Sequence, residues 1–466
     1  MSKNETKEEL FERKPIPLAV ASLSIPTVIG SLVAILYNLA DTYFVGMLNL
    51  PVETAAVTLA APVILAFNAV NNLFGVGGSS MMSRALGRKD IETVKRSSAF
   101  SFYGALVCGA LFSLGCIVFN APLLKILGAD AVTTEATREY LMWTVCVGAV
   151  PSILNVVMGY LVRSEGAALH ASIGTMSGCL MNIVLDPIFI LPSGLNMGSA
   201  GAGLATFISN CFALLYFCVY LIVKRKSTCI SVSPRYMTLN GAIVGGVFAV
   251  GVPAMIQNLL NVVGSTVLNN LAAPYQAEAL AAMGICTKIN MVPMYLAMGM
   301  TQGVMPLISY NYASGDRKRM KHAMTFTLVI SESVLVMTAL GMFFFADGLM
   351  HAFIEDAATV AYGIVFLRSY CFVQPLLAMD FFAVHVFQAI GYGVQSLIFA
   401  ILRKPVLEIP LMYALNAAFP LYGLPYAQVM AEAVMAVAAG ITLVVLLKKL
   451  DAKSSGAKSV SYETSV

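Results

Sequence analysis

IPLAVASLSIPTVIGSLVAILYNLADTY, residues 16–43, holds one charged side chain, Asp41, in a run of otherwise apolar or neutral residues. Wound as a helix, a run this long crosses the roughly 30 Å hydrocarbon core of a bilayer. The short alternation of a membrane β-strand, over about 9–11 residues, is missing. Cutting the rest of the chain at polar and Gly/Pro interruptions predicts eleven more spans, at 55–83, 91–119, 136–162, 168–191, 200–223, 240–268, 279–308, 322–346, 359–388, 394–416 and 425–447. The expected fold is all-α, a polytopic membrane protein of twelve transmembrane helices.

Composition agrees. The 466 residues are 59% hydrophobic and 11% charged, with a mean hydropathy of +0.82, where a soluble domain carries about 25% charged residues. The 36 glycines and 26 methionines suit close helix packing in lipid. Eight of the nine cysteines lie in apolar stretches, with Cys229 in a basic linker, and they read as small buried hydrophobes. No CxxC pair occurs and His170, His322, His351 and His385 are far apart, so neither a metal centre, a cofactor nor an enzymatic site is expected. Without a GxxxxGK[ST] loop, ATP is not the expected energy source, which leaves an ion gradient or the substrate itself. The first helix lacks a small-residue cleavage site and is read as retained.

Basic residues orient the chain. With a cytoplasmic N-terminus, 22 of the 28 Lys and Arg residues fall on cytoplasmic segments, among them Lys3, Lys7, Arg84, Arg88, Lys224, Arg235, Lys318, Lys448, Lys453 and Lys458. Only Lys125 and Arg138 fall outside. The positive-inside rule then places both termini in the cytoplasm. The basic loops hug the membrane, and no nucleic-acid partner is expected.

The chain also repeats. Pro26 and Pro253 are 227 residues apart, as are Gly166 and Gly393, and RALGRKDIETVKR at 84–96 pairs with NYASGDRKRMKHA at 311–323 at the same shift. This predicts two pseudo-symmetric six-helix bundles: a cytoplasmic tail at 1–15, an N-lobe at 16–223, a basic linker at 224–239, a C-lobe at 240–447 and a second tail at 448–466. Six spans preserve direction, so the halves should be related by an axis along the membrane normal, with a cleft between them.

Charges inside spans are the candidate functional groups. Asp41 and Asp186 lie late in outward-running spans one and five, with Tyr37 and Asn182 four residues before them on the same helix faces, and Thr206 lies at a comparable depth in span six. Two carboxylates in a low-dielectric pocket either share a proton or hold a cation such as Na⁺. Pro187 frees a carbonyl near residue 183 as a further oxygen. In the second half Lys288, Glu332, Arg368 and Asp380 are candidates to line a substrate cavity. Arg403, Lys404, Glu408 and Glu432 balance them, and Lys404 and Glu408 are spaced to pair.

The segments YNLADTYFVG, RALGRKD, NIVLDPIFI followed by GSAGAGLAT, EALAAMGICTKI and PLISYNYASGD occur in this order along the chain. In that order the chain resembles the multidrug and toxic compound extrusion (MATE) family over residues 12–448, on the branch with a first-helix aspartate. The resemblance implies two six-helix lobes around a cleft, and export of small organic, often cationic, compounds in exchange for H⁺ or Na⁺. It assigns the N-lobe ion site to Tyr37, Asp41, Asn182, Asp186 and Thr206. One departure is that Gln257, Asn258 and Asn261 follow GVP at 251–253, where another branch has a seventh-helix glutamate. The expected protein is a monomeric antiporter of the plasma membrane, in contact with lipids. The alternative is a flippase for lipid-linked or polysaccharide precursors.

Overall fold

A computed structural model describes residues 8–48 and 50–463. The expected tail residues Lys3 and Lys7, and the side chains of Lys453 and Lys458, lie outside the described part. Among the described residues the regular structure is entirely helical. Nine predicted spans are continuous helices: Ile16–Met47, Pro51–Gly87, Ile91–Val118, Ala168–Ile190, Gly198–Val223, Gly241–Ala272, Ala277–Ser314, Arg317–Phe344 and Gly423–Glu463. The last one absorbs most of the expected C-terminal tail. The fourth, tenth and eleventh spans are broken into shorter pieces. Ten helices are individually long and apolar enough to cross a membrane, and an eleventh crossing results if the bent fourth span is counted as one.

The breaks sit where the backbone loses hydrogen bonds. In span four, Thr134–Leu141 passes through a wide π turn, Met142–Val147, before Ala149–Ser164 resumes at 50°. A Cβ at Gly148 would strike the Trp143 and Thr144 carbonyls, and Pro151 lacks an N–H. Span ten stops at Cys371 and restarts at Val373, because the ring of Pro375 obstructs the carbonyl of residue 371. Span eleven runs Gly393–Ile401, then a π turn Leu402–Glu408 containing Pro405, then Ile409–Ala418.

The repeat is visible in the connections. Asp90 caps Ile91–Val118 by accepting from Thr93 N at 3.0 Å, and Asp316 caps Arg317–Phe344 by accepting from Arg319 N at 2.9 Å. Hydrogen bonds from the Thr93 side chain and backbone N–H hold the Asp90 carboxyl below its ordinary range. Asp130 and Asp356 likewise accept from Thr133 N and Thr359 N. Both pairs are offset by 226 residues rather than 227. The left-handed turn of the second half that answers Gly166 (φ +90°) is Gly391 (φ +89°), not Gly393. Asn196 and Leu421, both at positive φ, match at 225. The register therefore slips by a residue at a time along the chain.

The two halves meet mainly through Ile16–Met47 against Ala277–Ser314 and Pro51–Gly87 against Gly241–Ala272. Glycines set the approach: a Cβ at Gly77 would overlap Val247 O, one at Gly251 Leu73 O, one at Gly87 Tyr310 O, and one at Gly303 would lie 2.7 Å from Ser24 Cα. Ser24 donates to Met300 O at 3.1 Å, and Ser80 donates to Gln388 O at 2.5 Å. All these contacts lie at the end of the molecule that carries the linker. There one apolar core runs through both halves, whereas the far end of the second half has a separate core of its own.

The short turn Glu9–Arg13 covers this junction. Phe11 is fully buried and stacks on Tyr310 with centroids 4.8 Å apart. Arg319 donates to Phe11 O at 2.5 Å and to Lys14 O at 2.6 Å, while Lys89 pairs with Glu8 at 3.0 Å. The hydrogen bond that Lys89 donates to Glu8, with the nearby charge of Glu12, raises the Lys89 ammonium above its ordinary range. The linker is held to the first half by buried Glu165, which accepts from Tyr220 OH at 2.8 Å, Thr228 Oγ1 at 2.9 Å and Cys229 N at 2.9 Å.

The glycine contacts make a prediction. With the nine native cysteines replaced, cysteines introduced at Ser80 and Gln388 should cross-link readily in the native arrangement. Adding Gly77→Leu or Gly303→Leu should cut the cross-linked fraction several-fold, because a side chain there wedges the halves apart at the linker end.

Candidate functional site

Two polar clusters interrupt the apolar interior. The first is in the N-terminal half, where Ile16–Met47, Ala168–Ile190 and Gly198–Val223 pack together. Asp186 is fully buried and Asn182, one turn earlier, is 1% exposed. Asn182 Nδ2 lies 3.3 Å from Thr206 Oγ1. With its amide turned, Asn182 donates to Asp186 Oδ2 at 2.8 Å and accepts from Thr206 N at 3.2 Å, which suits both neighbours better. Tyr37 lies beside Thr206 and within the field of both Asp41 and Asp186. The five residues singled out by spacing therefore converge in space.

What this cluster lacks decides its chemistry. None of the described ion pairs involves Asp41 or Asp186. Asp41 Oδ1 is buried without a hydrogen-bond partner. Carboxylates in that setting bind a proton or a cation, since an uncompensated charge in low dielectric costs several kcal/mol. The donor set of two carboxylates, an amide, a hydroxyl and a phenol suits either H⁺ or Na⁺. Tyr140, buried and within the field of Asp41, Tyr37 and Asp186, also belongs to the wall. It comes from the fourth span, and nothing in its spacing marks it out from other apolar-helix aromatics. No group of three or more His, Cys, Asp or Glu side chains arranged to hold a metal occurs among the described residues.

The second cluster is in the C-terminal half. Arg403 donates through Nε to Glu432 Oε1 at 2.6 Å, lies 3.3 Å from Asp380 Oδ2 through Nη1, and stacks 5.1 Å over the Phe381 ring. Lys404 donates to Glu408 Oε1 at 2.6 Å, as the i,i+4 spacing predicts. All five charged groups are nearly or fully buried. Arg403, Lys404 and Glu408 line a cavity of about 600 Å³ between the halves, whose wall also includes Tyr160, Asn258, Asn290, Met294 and Tyr295. Gln302 ties its floor across the halves, donating to Tyr160 OH at 2.9 Å and accepting from Arg163 at 3.2 Å.

The other predicted cavity residues lie elsewhere. Lys288 lines a separate gap of about 700 Å³, between Leu39–Phe44 of the first helix and Ala281–Lys288 of the eighth span. Arg368 is exposed and rests 5.2 Å over Phe343. Glu332 is half-buried and is not part of the 600 Å³ cavity wall. Asp380 reaches the cavity only indirectly, through a small pocket shared with Gln257, Asn261 and Lys404. The charges that face the large cavity are Arg403, Lys404 and Glu408. Helical period alone could not rank these charges, because it fixes the face of a helix and not the neighbour opposite.

The Arg403 cluster generates a stability prediction. Arg403→Met strips two buried carboxylates of their counter-charge and should lower the yield of folded protein sharply, a cost of about 3–5 kcal/mol for breaking one such pair. Adding Glu432→Gln should recover part of it. Thermal melting of the purified variants measures the non-additivity.

Comparison with known proteins gives a consistent result. The MatE family model matches residues 26–188 and again 253–414. The chain is 33% identical over 442 residues to the multidrug export protein MepA of Staphylococcus saprophyticus subsp. saprophyticus, covering 94% of this chain and 96% of that one. It is 31% identical over 445 residues to MepA of Staphylococcus aureus (strain MRSA252), covering 96% and 97%. Among solved structures, an outward-facing conformation of a multidrug resistance MATE family transporter of the MOP superfamily superposes with a TM-score of 0.89 at 27% identity, covering 95% of this chain and 98% of that one.

Proposed function

The chain belongs to the multidrug and toxic compound extrusion family, and we propose that it expels organic cations from the cytoplasm by letting H⁺ or Na⁺ enter through the Asp41/Asp186 site. It is a multi-pass plasma-membrane protein and a secondary active transporter working by alternating access. The observation that carries the coupling role is the burial of Asp186 beside Asp41 with no ion pair to either among the described residues. The basic bias supports cytoplasmic termini and linker, which makes the packed end of the molecule cytoplasmic and the separated end external. The repeated helix caps support two lobes at 16–223 and 240–447, related by rotation about the membrane normal, in a monomer.

With the outer side open, a cation or proton reaches Asp41 and then Asp186. Neutralising the pair lowers its need for hydration, so Ile16–Met47 can bend near Pro26, where a backbone hydrogen bond is missing, and the first lobe repacks. Cargo held in the 600 Å³ cavity between the lobes then loses affinity and leaves outward. Return to the inward-open state releases the ion into the cytoplasm. Transport needs cargo and ion to favour different states, otherwise the gradient does no work.

Two measurements test this. In proteoliposomes, Asp41→Asn and Asp186→Asn should abolish gradient-driven export while leaving folded yield near native. Thr206→Ala should weaken ion dependence without removing it. Undiminished export by Asp41→Asn would move the coupling site elsewhere. For orientation, a cysteine introduced near residue 350 should react with an impermeant thiol reagent from outside, and one near residue 230 should not.

A further inference from the structure

We propose that Lys404 is a built-in competitor for cargo: its ammonium occupies Glu408 in the empty transporter, and a monovalent organic cation binds by displacing it. The inference rests on the reading of the cavity between the lobes as the cargo site. Lys404 and Glu408 both line that cavity, joined at 2.6 Å. Glu408 is only 3% exposed, and its second oxygen, Oε2, is buried without a hydrogen-bond partner. One half of a buried carboxylate is thus left open to a donor.

The lysine has somewhere to go. Lys404 also lines the small pocket that holds Asp380, Gln257 and Asn261. Asp380 is 1% exposed, and both of its oxygens lack a hydrogen bond despite the Arg403 charge 3.3 Å away. Swinging from Glu408 toward Asp380 would give the ammonium a carboxylate and two amide oxygens. Gly264 makes room for the stem: a Cβ there would sit 3.1 Å from Lys404 Cδ. The π turn Leu402–Glu408, with Pro405 inside it, turns Arg403, Lys404 and Glu408 toward the interior together, and such widened turns recur at functional sites.

Charge sets the class of cargo. Three carboxylates, Asp380, Glu408 and Glu432, face two bases, Arg403 and Lys404, so the fully ionised cluster carries one negative charge in excess. One monovalent cation completes it; an anion would add to the excess. Met291, Met294, Met298, Tyr295, Tyr370 and Phe381 supply soft, apolar walls. The fitting ligand is a lipophilic monocation, and Lys404 sets the threshold affinity it must exceed.

The test is equilibrium binding of radiolabelled tetraphenylphosphonium to the purified full-length protein, on variants that melt near the native temperature. Lys404→Met should tighten binding at least tenfold by removing the competitor. Lys404→Arg should weaken it at least tenfold, because a guanidinium fork takes both oxygens of Glu408. Glu408→Gln should weaken binding similarly and abolish the difference among the residue-404 variants. Tetraphenylborate, of the same shape and opposite charge, should not compete. If Lys404→Met does not fold, Lys404→Arg decides, since a purely structural pair predicts no loss of affinity there. Unchanged binding in Lys404→Arg, or weaker binding in a well-folded Lys404→Met, overturns the inference. If Glu408→Gln and a cavity-blocking Asn290→Trp both leave binding intact, the cavity is not the cargo site and the functional reading itself fails at that point. If those two abolish binding but residue 404 is indifferent, only the lysine inference falls.

Discussion

Hydrocarbon can neither donate nor accept a hydrogen bond, and it does not solvate charge. In this protein each backbone break and each ionised group must therefore find its compensation inside the bundle. The consequences are specific. The π turns at Met142–Val147 and Leu402–Glu408 and the break at Phe372 occur where proline or glycine has already removed regular packing. Arg403, Lys404 and their three acids gather in one buried cluster. The Asp41/Asp186 cluster differs: among the described residues its two neighbouring acids have no base paired to them, and such a pair is the place to look for work done on an ion.

Much of this was legible before any coordinates. The lengths of the apolar runs pointed to nine spans that are continuous helices and to three that are broken, because lipid thickness sets those lengths. The N-lobe site could be assembled from i,i+4 pairs, Tyr37 with Asp41 and Asn182 with Asp186, since such partners share a face whatever the helix packs against. The second cavity was not legible in the same way. Lys288, Glu332 and Arg368 are as unusual in an apolar helix as Arg403 or Glu408, yet they ended in a lobe gap, at a half-buried position and over an exposed aromatic ring. What separates the two groups is the rotation of each helix about its own axis and the bends that redirect it, and both depend on contacts between distant residues. Tyr140 and Glu165 escaped notice for the same reason. The repeat was visible, but its constant shift of 227 hid small slips, so that Gly393 stood in for Gly391.

The glycines at the junction account for a second property. Gly77, Gly251, Gly299 and Gly303 let four helices approach at backbone distance across the lobe boundary. Such a contact is either made or lost, because there is no intermediate side chain to fill a partial gap. The turn at Glu9–Arg13 adds Phe11 and the Arg319 hydrogen bonds over the same seam. A junction assembled from close backbone packing and a few polar ties behaves as a two-state element, and alternating access requires one.

The junction also joins the two clusters physically. Pro51–Gly87 and Ala149–Ser164 of the first lobe carry Asn72, Val76 and Tyr160 into the wall of the cavity between the lobes, while Gln302 of the second lobe bonds Tyr160 and accepts from Arg163. The Asp41 helix packs on the helix that bears Gln302, and Ser24 on that first helix bonds Met300 two residues away from it. A change in the path of Ile16–Met47 when its carboxylate is neutralised must shift these contacts, because a close-packed helix cannot bend alone. With the coupling role proposed for Asp41, ion binding in one lobe would alter the floor of a cavity lined largely by the other. No direct contact between ion and cargo is needed for exchange, only a shared wall that each of them prefers in a different position.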